Sequence, residues 1–67
     1  MTKITLVGRY TVATQRDPGT RVWHTITWRQ GQHAPVQAEQ SASPLAAVVI
    51  HARTVASLPG RIRECSY

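Results

Sequence analysis

Few side chains in this sequence could perform acid–base, nucleophilic or metal chemistry. The carboxylates and the candidate ligands or nucleophiles are Asp17, Glu39, Glu64, His24, His33, His51 and Cys65. The spacings between the histidines and the cysteine match no compact ligand pair such as CxxC or HxxxH. The sequence also lacks a glycine-rich phosphate loop. It therefore predicts no metal site and no cofactor.

Catalysis would require two of these side chains to converge. Glu39 and Glu64 could act as a paired acid and base, and His51 could activate the thiol of Cys65. Nothing in the spacing requires either pair to meet. Asp17 precedes a proline, which is ordinary in a turn. A strand cysteine and a solvated helix histidine are the commoner arrangement, so we predict a protein that is not an enzyme.

Positive charge is the strongest chemical signal in the chain. Of its 67 residues, eight are basic and three are acidic, which gives a net charge of +5, and seven of the basic residues are arginine. Arginine pairs with phosphates and carboxylates through two parallel hydrogen bonds. The charge fits nucleic acid or an acidic protein as a partner, although a small domain can also carry net charge for solubility alone.

Two long stretches near the start of the chain alternate apolar and polar residues. Residues 3–15 and 21–30 have the period of two that a half-buried antiparallel sheet produces. Pro18 and Gly19 between them suit a tight turn. We therefore predict a hairpin of two strands joined by the loop 16–20.

The register of this hairpin decides which side chains share a face. The loop 16–20 places three pairs opposite one another: Val12 with His24, Tyr10 with Ile26, and Gly8 with Trp28. This register gathers the apolar residues on one face, whereas a slip of one residue would move them to the other. Gly8 then leaves room for the indole of Trp28, unless it marks a β-bulge.

A helix with signals at both ends follows the strands. Ser43 is a favourable N-cap and Pro44 a favourable first helical residue. Pro59 and Gly60 stop the helix, so we predict it over about 44–58. An apolar stripe at helical spacing is expected to cover the inner face of the sheet, and it consists of Leu45, Val48, Val49, Ala52, Val55 and Ala56.

Two further strands complete the predicted sheet. Residues 33–39 alternate, but Pro35 cannot donate a ladder hydrogen bond and confines this strand to an edge. The helix returns the chain so that residues 61–66 lie beside the first strand and parallel to the third. The predicted fold is one α+β domain over 1–67. Its three- to four-stranded, mainly antiparallel sheet has the order 3-2-1-4, the chain order is β-β-β-α-β, and one helix packs on one face.

The predicted binding face is the side of the hairpin that the helix does not cover. In the register above it carries Arg9, Thr11, Arg21, Trp23, Thr25, Thr27 and Arg29. A tryptophan framed by arginines suits a protein hot spot or the stacking of bases. An ordinary threonine-rich solvent face would have the same composition. A second candidate interface lies on the other side of the helix and consists of Ile50, His51 and Thr54.

These features predict a small basic binding protein. It would dock on a larger acidic or nucleic-acid-handling protein, as accessory or inhibitory proteins of phages and mobile elements do. Direct nucleic-acid binding through the Arg/Trp face is one alternative, and a structural homo-oligomer such as a homodimer is another. Because Cys65 is the only cysteine, and no secretory leader or membrane-spanning apolar run is evident, the expected location is the cytoplasm without membrane contact.

The protein should fold without metal, because its histidines and cysteine lack ligand spacing. Adding a chelator should leave the circular dichroism spectrum and the melting temperature unchanged. Stoichiometric zinc in the purified protein, lost together with the folded structure on chelation, would contradict this expectation.

Overall fold

The computed structural model describes residues 2–66, with side chains for residues 2–65. The elements are β1 (Thr2–Val7), β2 (Tyr10–Arg16), β3 (Trp23–Arg29), β4 (Gln37–Ser41), α1 (Pro44–Ser57) and β5 (Ile62–Ser66). The strands form one antiparallel sheet in the order β4-β3-β2-β1-β5, and α1 packs on one of its faces. The α+β class with a single helix on a small sheet is therefore confirmed.

The sheet has five strands because the predicted first strand is two strands. A turn at Gly8 and Arg9 separates them, and Val7 pairs with Tyr10 across it. Gly8 has a φ of 56°, which a two-residue hairpin turn requires and which glycine adopts without steric cost. β5 lies beside β1, as expected for the first strand. It runs antiparallel to β1 because this turn reverses the chain direction between β1 and β2.

The predicted register between the two central strands is wrong. Val12 lies opposite Thr27 rather than His24, and Thr11 rather than Gly8 lies opposite Trp28. The loop between β2 and β3 holds residues 17–22, and the backbone N–H of Asp17 closes it by donating to the carbonyl of Val22 at 2.9 Å. The partner of Val12 moves by three residues, from His24 to Thr27. Because three is an odd number, every side chain of β3 changes face relative to β2.

The two faces of the sheet consequently differ from the prediction. The face under α1 is rich in threonine, and its buried residues are Thr5, Val7, Val12, Thr14, Thr25 and Thr27. The opposite face carries most of the apolar residues of the strands and has no element packed on it within residues 2–66. We call this second surface the open face. Its central residues are Ile4, Leu6, Thr11, Ala13, Ile26, Trp28 and Ala38.

The helix has the predicted ends but not the predicted orientation. The hydroxyl of Ser43 accepts from the backbone N–H of Ala46, and Pro44 opens the helix. The buried residues of α1 are Ala47, His51 and Thr54. The apolar stripe that was expected to cover the sheet is turned away from it, since Leu45 is 73% exposed and Val48 is 56% exposed. α1 packs mainly over β2, β3 and β4.

Two glycines hold the end of the helix against the β1–β2 turn. The backbone N–H of Gly8 donates to the carbonyl of Arg61 at 2.9 Å. A Cβ on Gly8 would lie 2.9 Å from the carbonyl oxygen of Pro59, and a Cβ on Gly60 would lie 2.8 Å from the Cα of Gly8. The two backbones touch directly, so the chain leaves α1 at one defined place over β1.

Replacing Gly8 by alanine should therefore destabilise the protein more than replacing Gly31. Both glycines have a positive φ, but a Cβ on Gly31 would meet nothing within 4 Å. Gly31→Ala should cost about 1–2 kcal/mol for the left-handed backbone alone. Gly8→Ala should cost at least about 1 kcal/mol more, because the contact with Pro59 must open. Urea unfolding of both variants measures the difference, and equal costs would rule out the close contact between Gly8 and Gly60.

Candidate functional site

The residues of the predicted binding face do not form one exposed surface. Thr25 and Thr27 are buried, and they share the helix-covered face with Trp23, which is half-buried. The assignment of these three residues to the uncovered face is wrong because the register of β3 is shifted. Thr11 does lie on the open face, half-buried and paired with Leu6 and Trp28.

The three predicted arginines are exposed but do not surround Trp23. Arg9 lies in the β1–β2 turn and Arg29 at the end of β3. Arg21 lies in the β2–β3 loop, beyond the opposite end of β3. The arginines thus mark the two ends of the sheet rather than the rim of one tryptophan.

The second predicted interface is also wrong. His51 is 2% exposed and Thr54 is 5% exposed. Both belong to the face of α1 that packs on the sheet, and Ile50 beside them is half-buried. His51 is turned inwards because its ring hydrogen-bonds the buried hydroxyls of Thr5 and Thr14. The hydroxyl of Thr54 instead donates to the carbonyl of Ile50 in the same helix.

A chain of hydrogen bonds connects the helix to four strands through His51. The Nε2 atom of His51 lies 2.8 Å from the hydroxyl of Thr5, and its Nδ1 atom lies 2.7 Å from the hydroxyl of Thr14. The hydroxyl of Thr14 bonds that of Thr25 at 2.8 Å, and the hydroxyl of Thr5 donates to the Sγ atom of Cys65 at 3.5 Å. Because Thr5 donates onward, it accepts from His51, so the neutral ring carries its hydrogen on Nε2.

The surroundings of His51 keep its ring neutral. Burial lowers the pKa of His51 below its usual value of 6.5, and the positive charge of Lys3 lowers it further. A protonated ring would donate from both nitrogens, whereas a neutral ring donates from one nitrogen and accepts at the other. The network is built around an uncharged imidazole.

This network is a structural arrangement rather than an assembled nucleophile. The hydroxyl of Thr5 stands between the thiol of Cys65 and the imidazole of His51, whereas a Cys–His pair acts by direct contact. Both ring nitrogens already have hydroxyl partners. Among residues 2–66, no group of three or more His, Cys, Asp or Glu side chains is placed to hold a metal ion.

The open face is the surface that sequence reasoning missed. One row across four strands is entirely apolar and consists of Ile4, Ala13, Ile26 and Ala38. The adjacent row holds Leu6, Thr11 and Trp28, and the exposed Glu64 of β5 lies opposite Leu6 in the same row. A polar row borders them on one side and consists of Gln15, His24 and Gln40. The alternation of the strands did signal this apolar face, but the shifted register placed part of it under the helix.

A cleft of about 240 Å³ indents the open face beside the β2–β3 loop. Ala13, Ile26 and Trp28 line its apolar side. Arg16 and Asp17 line its polar side. A hydrogen bond from the backbone N–H of Gly19 lowers the pKa of Asp17 from 3.8, so this carboxylate is charged at neutral pH. The cleft can take one apolar side chain while its rim contacts polar groups.

Comparisons with known proteins add no further residues to the site. The chain matches no protein-family model, no curated protein and no solved structure. Within residues 2–66, no helix is both long enough and apolar enough to cross a membrane. The functional evidence for this chain therefore consists of the open face and the buried hydrogen-bond network.

The pKa of His51 makes stability depend on pH. Its folded-state value lies below the unfolded value of 6.5, so the unfolded chain binds more protons and stability falls as the pH drops below 6.5. The loss due to His51 should approach about 1.4 kcal/mol per pH unit until the folded pKa is reached. Urea unfolding at about pH 7.5 and about pH 5 measures it.

His51→Gln serves as the matched variant, because it retains His24 and His33 but removes the buried imidazole. The difference between the two pH values should shrink in this variant. An equal pH dependence in the two proteins would show that His51 does not titrate differently in the folded state.

Proposed function

We propose that this chain is a non-enzymatic binding protein whose open face docks on an acidic protein. Such a protein would act as an accessory or inhibitory subunit of a larger protein or nucleoprotein machine. The observation that carries the proposal is the apolar row of Ile4, Ala13, Ile26 and Ala38 on a sheet face without a covering layer among the described residues.

The composition of the open face is that of an interface. The solvent side of an antiparallel sheet normally carries polar residues. Here Ile4 is 38% exposed, and Leu6, Ile26 and Trp28 are half-buried without a layer above them among residues 2–66. Contiguous apolar patches with a polar rim mark binding sites on soluble proteins. Trp28 next to the cleft has the position and residue type of a hot spot.

Charge supports an acidic partner. The chain carries a net charge of +5, and exposed arginines lie at both ends of the sheet: Arg9 and Arg29 at one end, Arg16 and Arg21 at the other. Arg16 also lines the cleft of the open face. Carboxylates at the edge of a partner could pair with them, while an apolar side chain of the partner enters the cleft. Charges at the rim mainly raise the association rate, and the central apolar contact slows dissociation.

Direct nucleic-acid binding is the alternative that the same charges and Trp28 allow. The aliphatic side chains that share the open face with Trp28, above all Ile4, Leu6 and Ile26, favour a protein, because they offer no hydrogen bonds to bases or phosphates. We place the protein in the cytoplasm. The exposed free thiol of Cys65 supports this location because such a thiol persists in a reducing compartment.

Capture of partners from the host lysate by the tagged protein, before and after nuclease treatment, tests the proposal. The bound protein should be acidic and should remain after nuclease. Trp28→Ala should weaken its affinity by at least about 2 kcal/mol, as the loss of a hot spot does. Val49→Ala, on the exposed side of α1 and therefore across the sheet from the open face, should bind as the wild type does.

The nucleic-acid alternative predicts the same sensitivity to Trp28→Ala but a different ligand. A single-stranded oligonucleotide that binds with a steep salt dependence, and that Trp28→Ala weakens, would support nucleic acid as the ligand. Unchanged affinity of Trp28→Ala, with an unchanged melting temperature, would remove the open face as the docking surface.

A further inference from the structure

The helix covers only part of the inner face of the sheet. α1 packs mainly over β2, β3 and β4. Along its other side lie two gaps, of about 510 Å³ near its start and about 480 Å³ near its end. Lys3 and His51 border both gaps, so the two gaps lie next to each other along the helix and are treated together as one groove. We call it the lateral groove; Leu45, Val48 and Val55 of α1 line one side, and Val7, Ile62 and Cys65 line the other.

The lateral groove has the width of a helix. Five strands spaced about 4.8 Å apart span roughly 19 Å between the edge strands. A helix with its side chains is about 10 Å across, so this face can hold two helices side by side. The fold supplies one helix within residues 2–66. The missing layer over β1 and β5 therefore has the dimensions of a second helix.

The helix of this chain matches the groove chemically. Its outward side presents a stripe of large apolar residues, of which Leu45, Val48 and Val49 are more than half exposed. α1 has no acidic residue in its first turn and no basic residue in its last turn. Its one arginine, Arg53, lies on the side of β4, 3.7 Å from Glu39. The stripe is thus uncharged, and a partner selected by charge has nothing to pair with there.

We infer that a second copy of this chain occupies the lateral groove. A twofold axis would place the helix of each copy in the groove of the other, so that one operation covers both exposed stripes. A stable interface needs about 800 Å² from each partner, which is roughly a sixth of the 4729 Å² surface of the chain. This contact is independent of the open face, which lies on the opposite side of the sheet.

The small apolar core supports the same inference. Among residues 2–65, the fully buried hydrophobic residues are Val7, Val12 and Ala47. Chains below about 70–80 residues commonly need a disulfide, a metal or oligomerisation to supplement their core. Cys65 cannot form a disulfide within the chain, because the sequence contains no second cysteine. Burying the two helix stripes against each other would supply the missing apolar contact.

The mass of the purified protein in solution tests the inference. Sedimentation equilibrium of the wild type should give twice the chain mass of 7.4 kDa. Val48→Glu and Leu45→Glu, both at exposed positions of the stripe, should give monomers that retain their circular dichroism spectrum. Val36→Glu is the matched control, since Val36 is 47% exposed and Val48 is 56% exposed. It should remain a dimer.

The thiol of Cys65 gives a second measurement, because it lines the lateral groove. Its alkylation rate should be low in concentrated wild-type protein, and it should rise on dilution and in Val48→Glu. A wild-type monomer at millimolar concentration would overturn the inference. So would a dimer that survives both stripe substitutions, or one lost in Ile26→Glu alone, which would place the contact on the open face.

Discussion

The position of the helix depends on the hydrogen bonds of His51 with Thr5 and Thr14. The face of the sheet under α1 presents threonine hydroxyls, and little aliphatic surface is buried there. A net contribution of about 1 kcal/mol per hydrogen bond is small, but leaving these hydroxyls buried without a partner would cost more. The imidazole satisfies both threonines at once. This requirement turns the polar side of the helix towards the sheet.

That orientation leaves apolar surface on two sides of the molecule. Because the helix directs Ala47, His51 and Thr54 inwards, its leucine and valine stripe lies outside, next to the lateral groove. Because the threonine face of the sheet is used for the helix, the isoleucine and tryptophan face remains open. The two surfaces differ in charge: arginines lie at both ends of the sheet and Arg16 lines the cleft of the open face, whereas the helix stripe carries no charge.

A homodimer joined through its helices would also change how the open face works. The two open faces would point outwards from a central layer of helices, so one dimer could bind two copies of an acidic partner or two sites on one assembly. The second contact would then form at the effective concentration set by the first. Modest affinity at each face would be sufficient for stable attachment to a repetitive or oligomeric machine.

Local signals in the sequence determined which elements form and where the helix begins and ends. Ser43, Pro44, Pro59 and Gly60 act through contacts within a few residues, and the period of two along the strands is a property of each strand alone. The α+β class and the place of the last strand beside the first follow from these signals. The split of the first strand at Gly8 was not predicted, because a positive φ has no unique signature in the sequence. The strand predicted over 33–39 lies further along the chain, over Gln37–Ser41.

The tertiary structure decided the register and the choice of faces. Loops of five and six residues differ little in closure entropy, so loop length alone did not distinguish the two registers; hydrogen bonds within residues 17–22 and the side chains packed under the helix belong to the register that forms. Apolarity alone would place the isoleucines and the leucine stripe together. In the structure, His51 hydrogen-bonds Thr14 and Thr5, which lie 37 and 46 positions before it in the chain. A pattern within a few neighbouring residues cannot predict such hydrogen bonds. The open face therefore could not be predicted from the sequence. Which side of the sheet the helix covers depends on hydrogen bonds between buried polar groups that are far apart in the chain.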